Sequence, residues 1–153
     1  SFLAIGEVGR GRTGWRLTHF QAKAGLIVSL RHRSGFFRYG EDPLLVAFLH
    51  NDLLAESMRQ MYLSPLSEEP DGGEKLRQTL RAYFEAERNG ASAGEALQVS
   101  RQTVKNHLRT VEERLGRPLA DCMAEMEAAL RLEALDRLTV SKPKPVSLHT
   151  STP

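Results

Sequence analysis

Four apolar residues, Val104, Leu108, Val111 and Leu115, recur at i, i+4, i+7 and i+11 and therefore fall on one stripe of a helix. Advancing about 100° per residue places Gln102, Lys105, Asn106 and Arg109 on the opposite side, where they meet water or a partner rather than a core. From Ser100 to Thr110 there are three fixed positive charges, Arg101, Lys105 and Arg109, and no acid. A shorter helix signal, Ser92-Ala93-Gly94-Glu95-Ala96-Leu97, comes just before, separated by the three residues Gln98-Val99-Ser100.

A short helix, a three-residue break and a longer cationic helix form the layout of a helix-turn-helix, which makes sequence-specific DNA binding the primary expectation. The outward residue types suit that partner. Gln and Asn pair bidentately with an adenine edge, and Arg and Lys favour guanine or phosphate, each good base pairing adding roughly 1–3 kcal/mol of discrimination. Gly94 sits where the two helices approach most closely, and Ala93, Ala96, Leu97 and Val99 offer small apolar packing. Ser92 is expected to cap the first helix and Ser100 the second, each hydroxyl serving a backbone N–H left free at the helix start. Such helix starts also attract phosphate. Asn89-Gly90 is expected to break the preceding helix, and Gly116 to close the long one, with Pro118 beyond it.

From Leu76 to about Leu138 the chain resembles the C-terminal helix-turn-helix domain of the PucR (purine-catabolism regulator) and sugar-diacid regulator family of bacterial transcription factors, itself similar to the DNA-binding domain of Fis. The residues that carry the resemblance are Leu76-Arg77-Gln78-Thr79-Leu80-Arg81-Ala82-Tyr83, then Ala96 to Val104, then Leu108-Arg109 and Glu112-Glu113-Arg114-Leu115-Gly116. The resemblance implies that Arg101 and Thr103 face DNA, with Lys105, Asn106 and Arg109 following along the groove. Members usually carry His-Arg before the Thr and Arg-Tyr-Arg after it. This chain has Ser100-Arg101 and Lys105-Asn106-His107 there, so its operator does not transfer from relatives.

The first residue is Ser1, and Phe2-Leu3-Ala4-Ile5-Gly6 already reads as a strand entering a Gly-rich loop, so a fragment is expected. Phe2 to Arg31 resembles the last strand-loop-helix of the degenerate GGDEF-like domain that precedes the helix-turn-helix in that family. Ala4-Ile5-Gly6, Gly9-Arg10-Gly11, Gly14 to Phe20 and Gln21 to Leu26 carry this second resemblance, with Thr18, Phe20 and Gly25 departing from it. Further on, Gly35 to Tyr39 reads as a strand, and Pro43–Leu49 and Asp52–Leu63 as helices broken near His50-Asn51. Exposed strand edges at 2–6 and 36–39 are candidates for pairing with another copy. After Pro118, a helix from about Ala120 to Leu138 carries Met123, Met126, Leu130, Ala134 and Leu138 at near-heptad spacing, to cover the DNA-binding core or a second subunit.

Composition excludes more than it selects. With 153 residues and 41% hydrophobic content, the chain can bury one ordinary core or two small ones. No apolar run approaches the roughly 20 residues needed to cross a bilayer, and a cytoplasmic protein without membrane contact is expected. The net charge of +2 hides an asymmetry: residues 1–38 hold seven Lys/Arg and one acid, whereas residues 41–75 hold eight acids and two Lys/Arg. Arg10, Arg12 and Arg16 lie among glycines without a phosphate-loop pattern, so a structural loop is expected there. Gly40-Glu41-Asp42 and Gly72-Gly73-Glu74 echo a cyclase signature, yet lack carboxylates on adjacent strands and read as acids at helix starts. The five histidines are scattered without ligand spacing, and Cys122 has no Cys or His neighbour suited to zinc; Cys122 reads as helix packing with Met123 and Met126. Neither a metal, a cofactor nor an enzymatic activity is expected.

The expectation is thus a mainly α chain, a Fis-like helix-turn-helix bundle with a small α/β remnant at its N-terminus. Residues 1–63 form the GGDEF-like remnant and connecting helices, 64–73 a linker, 74–140 the DNA-binding domain and 141–153 a disordered tail. DNA contacts are expected from Ser92, Ser100, Arg101, Gln102, Thr103, Lys105, Asn106 and Arg109. Partners are double-stranded DNA and further copies of the chain, as a homodimer or higher homo-oligomer, with an effector small molecule bound by regions outside this chain. The alternative is a helical dimerisation or protein-interaction module without DNA binding.

Overall fold

The computed structural model describes residues 1–32 and 35–140; the tail expected over 141–153 lies outside them. The order is β1 (Leu3–Ile5), α1 (Gly11–His32), β2 (Phe36–Arg38), α2 (Pro43–Leu49), α3 (Asp52–Met58), α4 (Glu74–Glu85), α5 (Gly90–Leu97), α6 (Arg101–Leu115) and α7 (Met123–Val140). β1 and β2 pair in parallel with Leu3 opposite Phe36 and Ile5 opposite Arg38, and α1 provides the crossover. The mainly α architecture with a small N-terminal α/β part is therefore what the structure has.

Local signals explain most boundaries. Asp42 caps α2, its carboxylate accepting from Leu45 N at 2.9 Å, and Pro43 opens the helix where a missing N–H costs nothing. Asn51 caps α3 through Leu54 N at 3.0 Å, which places the break at His50-Asn51. α3 then widens into a π-turn at Arg59–Leu63 and tightens into a 3-10 turn at Ser64–Glu68. In the Gly-rich loop, Glu7 is the tie: its N–H donates to Gln21 Oε1 at 2.9 Å and its Oε1 accepts from Gly40 N at 3.0 Å.

Beside a small apolar cluster of Ala82, Ala93 and Val104, one larger core runs through the chain. It takes Val28 from α1, Phe37 from β2, Leu45 and Phe48 from α2, Met58 from α3, Leu76 and Leu80 from α4, Val111 from α6 and Met126, Leu132 and Leu135 from α7. Leu66, in the stretch expected as a linker, is fully buried in that same core. The near-heptad stripe expected on α7 needs correction. Met126 and Leu130 are buried and Met123 half-buried, but Ala134 and Leu138 are exposed, while Ala128, Ala129, Leu132 and Leu135 are buried. α7 packs against α1, α2 and α3 and also against α4, so its buried surface is wider than one stripe.

Charge ties the same elements. Arg77 on α4 is 7% exposed; its Nη2 donates to Leu63 O at 3.1 Å and Ser67 Oγ at 2.6 Å, its Nη1 to Gly72 O, and its Nε lies 3.0 Å from Glu133 on α7. Arg81 pairs with the same Glu133. Arg137 and Glu74 form an outer pair at 2.7 Å that holds the Glu74 carboxyl below its ordinary range. Cys122 is buried, and burial pushes its thiol up. By contrast, Phe2, Trp15, Leu17 and Phe20 are exposed, Trp15 stacking on His19 with ring centroids 5.8 Å apart.

Replacing Arg77 by Ala leaves Leu63 O with only the longer bond from the Ser67 hydroxyl, at 3.3 Å, among its side-chain donors and removes one of the cations facing Glu133. We expect a loss of about 3 kcal/mol in urea unfolding, and a loss below 0.5 kcal/mol would contradict the buried pairing. Cys122 is expected to resist alkylation at neutral pH in the folded protein and to react on unfolding; rapid labelling of the native chain would show the site to be open.

Candidate nucleic-acid interface

The three-residue break is built from backbone chemistry. Gln98 adopts a left-handed conformation (φ 57°), its N–H donating to Glu95 O at 3.1 Å, and Val99 N donates to Gly94 O at 2.9 Å. The turn folds back so closely that a Cβ on Gly94 would lie 2.8 Å from Val99 O. Gly94 is therefore needed for the close approach, which in detail is to the turn and the start of α6.

Ser100 caps α6, its Oγ accepting from Thr103 N at 3.0 Å and lying 2.9 Å from Thr103 Oγ1. At the other end, Gly116 (φ 68°) closes the helix with its N–H on Glu112 O. Val104 and Val111 are fully buried and Leu108 and Leu115 half-buried, so the apolar stripe faces inward as its spacing requires. Burying each valine contributes roughly 1.5–3 kcal/mol, enough to fix which face of α6 turns outward.

That outward face carries Arg101, Gln102, Lys105, Asn106 and Arg109, all exposed. Gln102 Nε2 donates to Asn106 Oδ1 at 2.9 Å, and Arg109 Nε lies 3.0 Å from Glu113 Oε1. An exposed i,i+4 ion pair is worth about 0.3–0.5 kcal/mol, so Glu113 holds Arg109 only weakly. Thr103 is half-buried, its hydroxyl beside Ser100.

α5 departs from the sequence reading in three respects. It starts at Gly90, and its cap is Asn89, whose Oδ1 accepts from Ala91 N at 3.0 Å and Ser92 N at 3.3 Å. Ser92 is not the cap; it lies inside the first turn, exposed. Asn89 sits ahead of the glycine, at the point where the backbone first turns helical, and its carboxamide oxygen reaches the free N–H groups of the first turn, so it takes the role first. Nor does Asn89-Gly90 end α4, which stops at Glu85; Glu87 and Arg88, both with positive φ (52° and 67°), make the connection. Of the packing residues, Ala93 is buried and Leu97 half-buried, whereas Ala96 and Val99 are exposed, because α5 is short and only one side meets α4 and α6.

Two neighbours of the interface escape sequence reading. His107 Nδ1 lies 2.8 Å from Thr79 Oγ1, which itself donates to Lys75 O at 2.8 Å, so the hydroxyl accepts from the imidazole and fixes α6 against α4. Arg114 is held by Glu69 and Glu68, at 2.6 and 3.0 Å, which raises its pKa and directs its guanidinium toward the 64–73 segment rather than outward. Among the described residues, no group of three or more His, Cys, Asp or Glu side chains is placed to hold a metal ion. No helix there is long and apolar enough to cross a membrane.

Two helices joined by a tight turn, the second with a buried apolar stripe and an exposed polar face free of acids from Arg101 to Thr110, define a helix-turn-helix of the DNA-binding class. Residues 76–134 match the PucR C-terminal helix-turn-helix domain family. No curated protein and no solved structure matches the chain.

Replacing Gly94 by Ala gains up to about 1 kcal/mol in helix propensity but forces a Cβ against the Val99 carbonyl, an overpacking cost of roughly 1–3 kcal/mol. The variant should melt at lower temperature than the parent. A higher melting temperature would mean that the turn yields freely.

Proposed function

We propose that the chain acts as a sequence-specific DNA-binding transcriptional regulator of the PucR type, with α6 lying in the major groove. The observation that carries this reading is the exposure of Arg101, Gln102, Lys105, Asn106 and Arg109 on one face while Val104 and Val111 are fully buried on the other. In this reading Arg101 and Arg109 contact phosphate and set register, helped by Ser92 at the start of α5, while Gln102, Lys105 and Asn106 read bases. Ser100 and Thr103 lie at the N-terminal end of α6, where a phosphate meets free N–H groups and the positive end of the helix dipole.

A single recognition helix reads few base pairs, so the working form is a dimer or higher oligomer on half-sites about 34 Å apart, or multiples of that spacing. Phe2, Leu3, Ile5, Trp15 and Phe20, all exposed, favour association through the N-terminal part. The site of action is the cytoplasm, where the DNA is. The same apolar surface is what supports the second reading, a helical association module that does not bind DNA.

A mobility-shift titration on duplexes from the chain's own promoter region, run across salt concentrations, separates the two. Binding that weakens steeply with salt is expected, and Arg109→Ala should weaken all duplexes alike and flatten the salt slope by about one unit. Absence of any shift at low salt would leave the association module standing alone. An unchanged slope would remove Arg109 from the phosphate contacts.

A further inference from the structure

The hydrogen bond between Gln102 and Asn106 changes what each amide can offer a base. Gln102 Nε2 donates to Asn106 Oδ1 at 2.9 Å across one turn of the outward face of α6. A lone Gln or Asn pairs with adenine through both ends of its own amide, the oxygen accepting from N6 and the nitrogen donating to N7. Here the inner ends of the two amides are engaged with one another. Gln102 Oε1 and Asn106 Nδ2 point away from the bond and have no protein partner among the described residues. We infer that Gln102 and Asn106 form one reading unit that presents an acceptor and a donor to two neighbouring base pairs, so that Gln102 determines specificity at the base contacted by Asn106 as well as at its own.

This inference rests on the DNA-binding reading and adds a preference to it. Four residues of helix advance about 6 Å, against about 3.4 Å per base pair, so the two free ends reach different, neighbouring base pairs within about two steps rather than one base. The Gln102 oxygen selects a base with an exocyclic amino group in the major groove, adenine or cytosine. The Asn106 amide selects an acceptor on the neighbouring pair: a purine N7, guanine O6 or thymine O4. Both side chains are exposed, so replacing either leaves the core of α6 in place.

Selection of duplexes from a randomised library by the full 153-residue chain at low salt, followed by sequencing, tests the bridge. The parent should enrich two neighbouring positions. Gln102→Ala should relax its own position and, by freeing the Asn106 amide to pair with adenine through both ends, turn the Asn106 position toward adenine. Asn106→Ala should likewise change both positions. Each variant should lose about tenfold on the best parent duplex, and the double variant should lose no more than either single one. Gln102→Glu is the sharper test, because a carboxylate only accepts: Asn106 then turns its Nδ2 toward residue 102 and presents Oδ1, and preference at the Asn106 position should pass to adenine or cytosine. Two single variants that each relax one position, with losses multiplying to about a hundredfold in the double, would overturn the bridge and leave two separate readers. So would a Gln102→Glu chain whose neighbouring preference is unchanged. If the parent enriches no sequence, the DNA-binding reading itself is overturned and the bridge falls with it.

Discussion

Glu133 is the carboxylate on which the arrangement of the helices depends. It stands on α7 with Arg77 and Arg81 of α4 facing it and Arg137 one turn along its own helix. Burying charge costs about as much as the pairing returns, so the cluster contributes register more than net stability: it permits one setting of α4 against α7. Arg77 extends that setting to the 63–72 stretch through Leu63 O, Ser67 Oγ and Gly72 O. Arg114 of α6 grips the same stretch through Glu68 and Glu69. The segment between the front of the chain and the helix-turn-helix is thereby held from two helices, and the direction of α6 is tied to it.

Within the helix-turn-helix, apolar burial and polar capping have separate tasks. Val104 and Val111 decide which side of α6 is hidden, and Ser100 and Gly116 decide where the helix begins and ends. His107, seated on Thr79, adds a polar latch between α4 and α6 that water would weaken if it were exposed. The exposed side is left with side chains that contribute little to folding and are therefore free to vary without loss of the scaffold.

The sequence makes the interface more legible than the scaffold. A 3.6-residue period in Val104, Leu108, Val111 and Leu115 suffices to orient α6, and a glycine before a three-residue break suffices to locate the turn. Caps are harder, because Asn89 and Ser92 are both good capping residues and the choice depends on where the backbone first turns helical. The α7 surface could not be read from spacing alone. Its Ala128, Ala129, Leu132 and Leu135 are buried because α1, α2, α3 and α4 surround it, and periodicity reports one neighbour at a time. The same holds for the His107–Thr79 contact and the Arg77–Glu133 pair, whose partners lie 28 and 56 residues apart in the chain.

The exposure of Trp15 has an optical consequence. Trp15 is the single indole in the chain, and it sits in solvent on α1, outside the buried core. Its emission therefore senses the covering of that helix by another molecule. Fluorescence of the unlabelled chain is thus a gauge of whatever comes to cover α1.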